Sequence, residues 1–375
     1  SPSFAGAVEA VASTGGQLMP PVMGATAFVM ADVTGAGYNA VAVAALLPSL
    51  LYYFSLYMMI HFEAIRYNLG VMPEDEVPDV KSVYKRLYHI LPIFVLIFLL
   101  ISGRSVISSA YLATLSVLIL ACFSKSTRFT LRKLLETLEA SSKSALMIST
   151  CSACAGIIVA MVSITGIGYK FISLITDLGS INILFLLVLL MVTCFVLGMG
   201  VPATPAYIIV ATLGAPALMK LGIPTLAAHL FVLYYAILSE ITPPVCLSAY
   251  AGASIAKANA MVTGLRAFRL GVVAYIIPFM FVFEPALLLN GSIPEVVQAV
   301  ITAVIGVISL AGGMQGYLLT LCKPLERFLL ISGGILLLYP GIKTDLCGLI
   351  FILVVYVLQY FRRKADNAAA YPPLS

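Results

Sequence analysis

Charged residues are scarce in this chain. Asp, Glu, Lys and Arg make up 10% of its 375 residues, whereas soluble domains carry about 25%. Hydrophobic residues make up 61%. Such a chain cannot cover a globular surface with polar side chains, so a water-soluble enzyme is excluded. Disorder is excluded as well, because the apolar content is far too high.

Several motifs are also missing. The sequence has no G-x-x-x-x-G-K-S/T, so the chain does not hydrolyse ATP itself. It has no H-E-x-x-H, which would indicate a metalloprotease. The seven Cys, among them the C-x-x-C of Cys151 and Cys154, lie within or beside apolar runs and are interpreted as small hydrophobic core residues. We therefore expect no catalytic residue, no cofactor and no cluster of metal-ligating Cys or His.

Long apolar runs dominate what is present. Runs of 17 or more apolar residues recur along nearly the whole chain, and each can cross a roughly 30 Å hydrocarbon core. The net charge of +5 arises from residues between these runs, so it marks loops rather than a surface for nucleic acid. The sequence predicts an all-α, polytopic membrane protein embedded in a lipid bilayer.

The runs and their interruptions divide the chain into segments. Residues 124–143 have apolar positions at helical spacing among basic ones, which predicts an amphipathic helix on the membrane surface, with an ordinary loop helix as the alternative. The predicted segments are a broken helix (1–36), scaffold helices ending in the surface helix (37–143), a second repeat (144–290) with a hairpin at 198–219 and a broken helix at 224–256, extra membrane helices (291–361) and a polar tail (362–375).

Two interruptions share one design. Residues 13–22 read STGGQLMPPV and residues 236–245 read AILSEITPPV, each with helix-like sequence on both sides. A Pro-Pro pair unwinds a helix and deprives upstream carbonyls of their partners. Bare carbonyls are tolerated at bilayer depth only where they face protein, water or an ion. One such pair is most often a packing kink, but two matched pairs favour a transporter site.

The chemistry of such a break suits ions. Freed carbonyls and hydroxyls are hard oxygen ligands for a small cation such as Na⁺, and the N-terminus of the following half-helix suits an anionic substrate. Before the second break, glycines and prolines interrupt the apolar segment 198–219, and Gly200, Pro202 and Thr204 lie at the centre of the interruption; the interrupting residues are Gly200, Pro202, Pro205, Gly214 and Pro216. This indicates a re-entrant hairpin with its tip near Pro202–Thr204, and a kinked span is the alternative.

A repeated design requires a hairpin before the first break as well. Only a dozen residues precede Ser13, and the chain does not begin with Met. We therefore expect the chain to be the C-terminal part of a longer polypeptide and not to transport by itself.

Several of these stretches resemble a known family. The stretches are FAGAVEA at 4–10, STGGQ at 13–17, MPPVMGA at 19–25, residues 197–211, AAHLF at 227–231 and SEITPPV at 239–245. Together they are similar to the fused permease of the tripartite ATP-independent periplasmic (TRAP) transporters. The resemblance covers about residues 1–290, and residues 291–361 resemble the extra C-terminal helices of many fused members.

The resemblance implies a function and partners. It implies an elevator-type permease in the cell inner membrane that imports organic acids with a Na⁺ gradient. It further implies a soluble periplasmic binding protein, commonly of the TAXI type, and small-subunit helices upstream in the same polypeptide. Its cation ligands at the first break correspond to the carbonyls of Gly16, Met19 and Pro21, and the internal symmetry carries them to Ser239, Thr242 and Pro244.

Glu240 is the most notable intramembrane acid. It is a candidate cation ligand, a candidate proton carrier or a residue facing a wet cavity. Gln17 has the matching place in the first break, so the design does not require a charge there. His229 is interpreted as a satisfied core histidine, Arg104 as an interfacial residue and the acidic stretch 74–79 as a solvated loop.

Two other classes of protein compete with a symporter. A channel subunit would also have inverted half-repeats but needs no ion coupling, so uptake that depends on Na⁺ and on a binding protein distinguishes the two. An intramembrane hydrolase is disfavoured, because Glu9, Glu240 and Glu284 stand in separate apolar segments. Orientation stays open, because the basic segments 124–143 and 257–269 fall on opposite sides of the predicted topology although both prefer the cytoplasm.

Overall fold

The computed structural model describes residues 1–70, 79, 84, 87–123, 130–166, 170, 182–338 and 341–370. This part of the chain is helical, apart from turns and one isolated β-bridge between Tyr317 and Leu321. The all-α prediction is therefore confirmed. Within the described residues, three helices are long and apolar enough to cross a membrane, namely Tyr38–Arg66, Ile293–Gln315 and a stretch at Lys343–Lys364.

The helices fall into three successive groups. The first group is α1 (Pro2–Gly16), α2 (Ala25–Thr34), α3 (Tyr38–Arg66), α4 (Leu91–Ile101), α5 (Val106–Phe123) and α6 (Leu131–Thr165). The second is α7 (Ile183–Gly198), α8 (Ala203–Lys220), α9 (Thr225–Leu238), α10 (Leu247–Ile255), α11 (Ala260–Gly271) and α12 (Ile277–Phe283). The last is α13 (Ile293–Gln315), α14 (Pro324–Leu338) and α15 (Ile342–Ala370). Short 3₁₀ turns lie at Leu87–Ile90, Ser239–Ile241 and Pro285–Leu288.

Helix α9 lies at the centre of the molecule. Every residue from Ala227 to Leu238 is buried, because α2, α7, α8 and α12 pack around it. A helix that is apolar on all sides is stable only when neighbours cover it completely. Helix α9 is the first arm of the second broken helix. Because neighbours pack on every side of it, the position of its C-terminal end, where the break begins, is fixed.

The hairpin has wider bounds than the sequence analysis assigned. The prediction placed both arms within 198–219, but α7 is the first arm and α8 is one helix of 18 residues. The turn lies at 199–202, where Gly200 has a φ of +72°. Pro205 lies in the first turn of α8, where a missing N–H leaves no helix bond unmade. Pro202 and Pro205 therefore begin the second arm, and α8 continues through Pro216 as one helix.

Two other boundaries also differ from the prediction. The surface helix expected at 124–143 is not a separate element in the described residues, since Leu131–Thr165 is one helix of 35 residues. No proline interrupts that stretch, so the segment boundary at 143/144 falls inside α6. Residues 124–129 lie outside the described residues. The polar tail is also helical at its start, since α15 continues to Ala370.

A buried polar group joins the last helices. Gln359 of α15 is fully buried, and its Oε1 accepts from the N–H groups of Leu319 at 3.0 Å and Thr320 at 3.2 Å. Its Nε2 donates to Glu326 at 2.9 Å. Glu326 also forms an ion pair with Arg362. This network ties α15 to α14 and to the loop before it.

Gln359→Leu is expected to destabilise the protein by roughly 3 kcal/mol, because each buried polar group left unpaired costs about 1–3 kcal/mol. The thermal midpoint of the purified protein should fall by several degrees. Gln298→Leu is the matched control, since Gln298 is exposed on α13. An equal midpoint for the two variants would show that the network contributes nothing to stability.

Candidate functional site

The two breaks meet through one direct contact. The first break, residues 17–24, separates α1 from α2, and the second, residues 239–246, separates α9 from α10. Gln17 Nε2 donates to Glu240 Oε2 at 2.9 Å. Ser248, in the first turn of α10, donates to the same carboxylate oxygen at 3.2 Å. The residues that the sequence matched by symmetry are therefore in contact although 223 positions separate them.

The two broken helices run antiparallel. Helix α1 packs against α10, and α2 packs against α9, so each first arm lies beside the other helix's second arm. The contact between α1 and α10 is unusually close. A Cβ built on Gly252 would lie 2.4 Å from the carbonyl oxygen of Gly6. Only glycine permits this approach, which sets the distance between the two breaks.

The hairpin contacts both broken helices close to its turn. Ser239 Oγ lies 3.3 Å from the carbonyl oxygen of Gly198 at the end of α7. Thr204, in the first turn of α8, shares a 2.9 Å hydrogen bond between hydroxyls with Thr26 of α2. Gly200 is exposed in the turn and Pro202 is the N-cap of α8. Of the predicted tip residues, Thr204 therefore contacts Thr26, and Gly200 lies near Val245 of the second break, since a Cβ built on Gly200 would lie 3.4 Å from that side chain.

The N-termini of three helices lie close to the two breaks. Helices α2, α8 and α10 begin at Ala25, Ala203 and Leu247, and none has an acidic residue in its first turn. The backbone of Ala203 also faces the Glu240 carboxylate. Helix N-termini carry unpaired N–H groups and a partial positive charge, so they attract anionic groups.

The first break exposes backbone oxygen. Pro20 has no N–H to donate to Gly16, and no backbone N–H in the described part of the chain bonds to that carbonyl. The carbonyl of Met19 accepts the N–H of Met23 at 3.1 Å, and that of Pro21 accepts the Tyr38 hydroxyl at 2.7 Å. These three predicted residues line one open cavity of about 440 Å³.

The second break is buried at Ser239 and Thr242 and exposed at Pro244. The Ser239 carbonyl accepts the N–H of Thr242 at 3.2 Å, and the Pro244 carbonyl accepts the Tyr250 hydroxyl at 2.5 Å. Both Pro-Pro bonds, at 20–21 and 243–244, are cis. The carbonyls of Pro21 and Pro244 thus share one kind of neighbour, a tyrosine hydroxyl, at matching places in the two breaks.

The two predicted hydroxyls already have protein partners. Ser239 Oγ donates to Ala236 O at 2.7 Å, and Thr242 Oγ1 donates to Leu238 O at 2.7 Å. Thr242 Oγ1 also lies 2.9 Å from the Tyr275 hydroxyl. Their protons are therefore directed at the helix or at Tyr275, and any cation would meet only the remaining lone pairs.

Sequence reasoning missed several residues that complete the site. Thr26 and Ser248 are the second residues of α2 and α10, so the start of each helix after its break would have indicated them. Tyr38 and Tyr275 give no such signal, because they reach the breaks from the start of α3 and from the turn between α11 and α12.

The other residues considered have simple environments. His229 is buried and its Nδ1 lies 2.8 Å from the Tyr207 hydroxyl, which confirms the interpretation as a satisfied core histidine. Arg104 is exposed between α4 and α5. Cys154 is exposed, contrary to the interpretation as a core residue. Of the acidic stretch 74–79, only Asp79 is among the described residues.

Comparison with known proteins agrees with this geometry. Residues 1–296 match the family model described as the DctM component of the tripartite ATP-independent periplasmic transporter. A search of curated proteins finds no significant match. The family match covers both breaks and the hairpin and ends just after the start of α13. The chain therefore belongs to the DctM family, the large membrane component of the TRAP transporters.

Proposed function

We propose that this TRAP permease subunit couples the Na⁺ gradient to import of a small organic acid across the cell inner membrane, which the chain crosses several times. The observation that supports the proposal most is the contact of the two breaks through Gln17 and Glu240. This contact brings freed carbonyls, which are partially negative, close to helix N-termini, which are partially positive. Cation and anion binding at neighbouring positions is what symport of an organic anion requires.

The first proposed Na⁺ site uses the carbonyls of Gly16, Met19 and Pro21. Gly16 O has no backbone donor among the described residues, and the open cavity lined by all three residues supports access for an ion. The carbonyl of Pro21 keeps a lone pair for an ion beside its bond to Tyr38. An oxygen-only ligand set fits a hard cation.

The second proposed Na⁺ site uses Ser239, Thr242 and Pro244. Ser239 and Thr242 are buried, so a cation between them would be shielded from water. Each contributes a carbonyl, and each hydroxyl retains lone pairs for a cation. The hairpin closes over this site, because Gly198 contacts Ser239.

We further propose that the substrate carboxylate binds at the hairpin tip. Gly200, Pro202 and Thr204 lie where the N-termini of α8 and α2 approach each other through the hydroxyls of Thr204 and Thr26. The N–H groups at these two ends that Glu240 does not engage suit a carboxylate. A small organic acid is therefore the favoured substrate class.

Glu240 is the proposed coupling residue. Its carboxylate accepts from Gln17 in one break and from Ser248 beyond the other. Movement of either break relative to the other must break or lengthen one of these bonds. Glu240 is therefore suited to transmit occupancy of one site to the other.

The partners follow partly from the family. Members of this family work with a periplasmic binding protein and a small membrane component. We propose a binding protein of the TAXI type and small-subunit helices fused upstream, because the resemblance is to the fused permeases.

Uptake in proteoliposomes tests the proposal. The intact transporter, reconstituted with its binding protein, should accumulate a labelled organic acid only when Na⁺ is imposed outside and the binding protein is present. Accumulation that does not depend on the Na⁺ gradient would contradict Na⁺ coupling. Passive equilibration without binding protein would indicate a channel.

Gln17→Met should lower the initial uptake rate about tenfold, because a hydrogen bond to a charged group is worth about 1.5–3 kcal/mol and a tenfold change is 1.4 kcal/mol. Methionine keeps the length of the side chain but donates no hydrogen bond. Ser13→Ala is the control, since Ser13 bonds only to Glu9 of its own helix among the described contacts. Equal uptake rates for Gln17→Met and Ser13→Ala would show that the hydrogen bond of Gln17 to Glu240 takes no part in coupling.

A further inference from the structure

Three arginines lie at the C-terminus of α13. Arg66 Nη1 donates to the carbonyl of Gln315, the last residue of that helix. Arg269 Nη2 donates to the Met314 carbonyl at 3.0 Å, and Arg327 Nη2 donates to the same oxygen at 3.1 Å. Carbonyl groups at a helix C-terminus lack helical N–H partners and together carry about half a negative charge. The helix end therefore attracts each guanidinium group, but it balances only part of one positive charge.

These positive charges lie close to one another. Arg269 and Arg327 share a single oxygen atom as acceptor. A Cβ built on Gly316 would lie 3.5 Å from Arg327 Nε and 3.5 Å from Arg66 Nη1. In the described part of the chain, none of the three arginines forms an ion pair with an acidic residue. Like charges this close repel one another, and an anion beside them would relieve the repulsion.

Two neighbouring cavities adjoin the arginines. Arg266, Arg269 and Gln315 line the smaller cavity, of about 100 Å³. Arg266 also lines the larger cavity, of about 300 Å³, a size that suits a small ligand group. Glu63 lines both cavities, and no other acidic residue that the structure describes lines either of them. The positive charge of the four arginines therefore exceeds what Glu63 and the end of α13 can balance.

The arginines keep N–H groups that could bind a ligand. A guanidinium group has five N–H donors in a planar fork. Among the described contacts, Arg266 uses one nitrogen on the hydroxyl of Ser1, and Arg66 uses one on the carbonyl of Gln315. The fork matches two oxygens of a phosphate group, so arginine binds phosphate with both charge and geometry. The remaining donors and the excess charge therefore suit a phosphate group.

The surface beside the cavities is apolar. Leu265 and Phe268 directly precede the two arginines of α11 in the sequence, and both side chains are exposed. Tyr67 and Leu69, which line the larger cavity, are exposed as well. The acyl chains of a lipid would cover such side chains, whereas a free phosphate ion would not. Basic pockets between membrane helices are typical sites for the head groups of anionic lipids.

The arginine cluster joins two parts of the chain. Arg66 and Arg269 belong to α3 and α11, within the residues 1–296 that match the family model. Gln315 and Arg327 lie beyond that match, at the end of α13 and in α14. The cluster therefore exists only because the last helices pack against the part of the chain that the family model covers.

We propose that Arg66, Arg266, Arg269 and Arg327 bind the phosphate group of an anionic phospholipid, whose acyl chains cover the apolar side chains of α11 and of the end of α3. The bound lipid then fastens α13 and α14 to the rest of the permease. A zwitterionic lipid fits less well, because its cationic group meets the same arginines. The proposal goes beyond the transport function and does not depend on Na⁺ coupling.

Lipid competition in the intact purified transporter tests the site. The protein is delipidated in detergent and mixed with equal amounts of dioleoyl phosphatidylglycerol and dioleoyl phosphatidylcholine, and native mass spectrometry measures the lipid bound. We expect the wild type to prefer phosphatidylglycerol about tenfold. Arg266→Gln should abolish most of this preference, because one hydrogen bond between charged groups accounts for about a tenfold change in affinity.

Arg266 is the position of choice because its described contact, with the Ser1 hydroxyl, caps no helix. Arg104→Gln is the matched control, since Arg104 is exposed between α4 and α5. Arg269→Gln replaces Arg266→Gln if the latter does not accumulate in membranes. Equal binding of the two lipids by the wild type, or a preference that the variant retains in full, would overturn the proposal.

The thermal midpoint distinguishes a lipid from a free ion. Phosphatidylglycerol should raise the midpoint of the wild type above that in phosphatidylcholine, and the rise should be smaller in Arg266→Gln than in Arg104→Gln. Sodium phosphate in place of sodium chloride at equal ionic strength should leave the midpoint unchanged. A rise with inorganic phosphate as large as that with phosphatidylglycerol would overturn a lipid as the ligand. Neither measurement requires transport, so this test is independent of the test for Na⁺ coupling.

Discussion

Gly252→Val is expected to lower transport at least a hundredfold. A Cβ at this position would lie 2.4 Å from the Gly6 carbonyl oxygen, a backbone atom that cannot turn aside. Helices α1 and α10 must therefore separate by about 1 Å, and a displacement of that size at a reacting or binding site can cost about a hundredfold. Because each helix leads into one break, the separation acts directly on the contact of Gln17 with Glu240.

Gly156→Val is the matched control for this prediction. Gly156 lies within α6, and a Cβ added there meets nothing within 4 Å. Uptake is measured with equal amounts of each variant in proteoliposomes, and Gly252→Ala replaces Gly252→Val if the latter does not accumulate in membranes. Wild-type uptake by Gly252→Val would show that the two broken helices need not pack this closely.

Thr242→Val should raise the Na⁺ concentration for half-maximal uptake by several-fold to a hundredfold. Valine keeps the shape of threonine but removes the oxygen. Losing one ligand of several should weaken cation binding by roughly 1–3 kcal/mol, the scale for leaving a buried polar partner unmatched, and each 1.4 kcal/mol is tenfold. The measurement is a titration of the initial uptake rate against Na⁺.

Tyr275→Phe separates ligation from packing. The Thr242 hydroxyl lies 2.9 Å from that of Tyr275, so Thr242→Val also deprives the tyrosine of a partner. Tyr275→Phe removes the same hydrogen bond but leaves the threonine oxygen in place. If Thr242 binds the cation, only Thr242→Val shifts the Na⁺ midpoint. If Thr242→Val and Tyr275→Phe have the same Na⁺ concentration for half-maximal uptake, Thr242 contributes only packing.

The breaks could be predicted because their cause is local. A Pro-Pro pair in an apolar helix removes two N–H donors wherever the helix lies, so positions 20–21 and 243–244 identified both breaks. Matching the two motifs also aligned Gln17 with Glu240, and these two residues are in contact. Internal symmetry thus supplied a long-range contact that composition and periodicity could not.

The partners of the hydroxyls could not be predicted in the same way. Thr242 of the second break contacts Tyr275 of the turn before α12, and Thr26 of α2 contacts Thr204 of α8, so these contacts depend on how separate segments pack. The hairpin bounds were wrong for a related reason. A proline can start a helix or interrupt one, and only the neighbouring structure shows that Pro205 lies in the first turn of α8.

Na⁺-specific stabilisation of the intact purified transporter tests the central claim most directly. A ligand that binds only the folded state raises stability in proportion to the logarithm of its concentration. We predict that NaCl raises the thermal midpoint above that in choline chloride of equal ionic strength, without substrate or binding protein, and that Thr242→Val moves this response to higher Na⁺. Identical midpoints in NaCl and choline chloride would contradict a Na⁺ site at the two breaks.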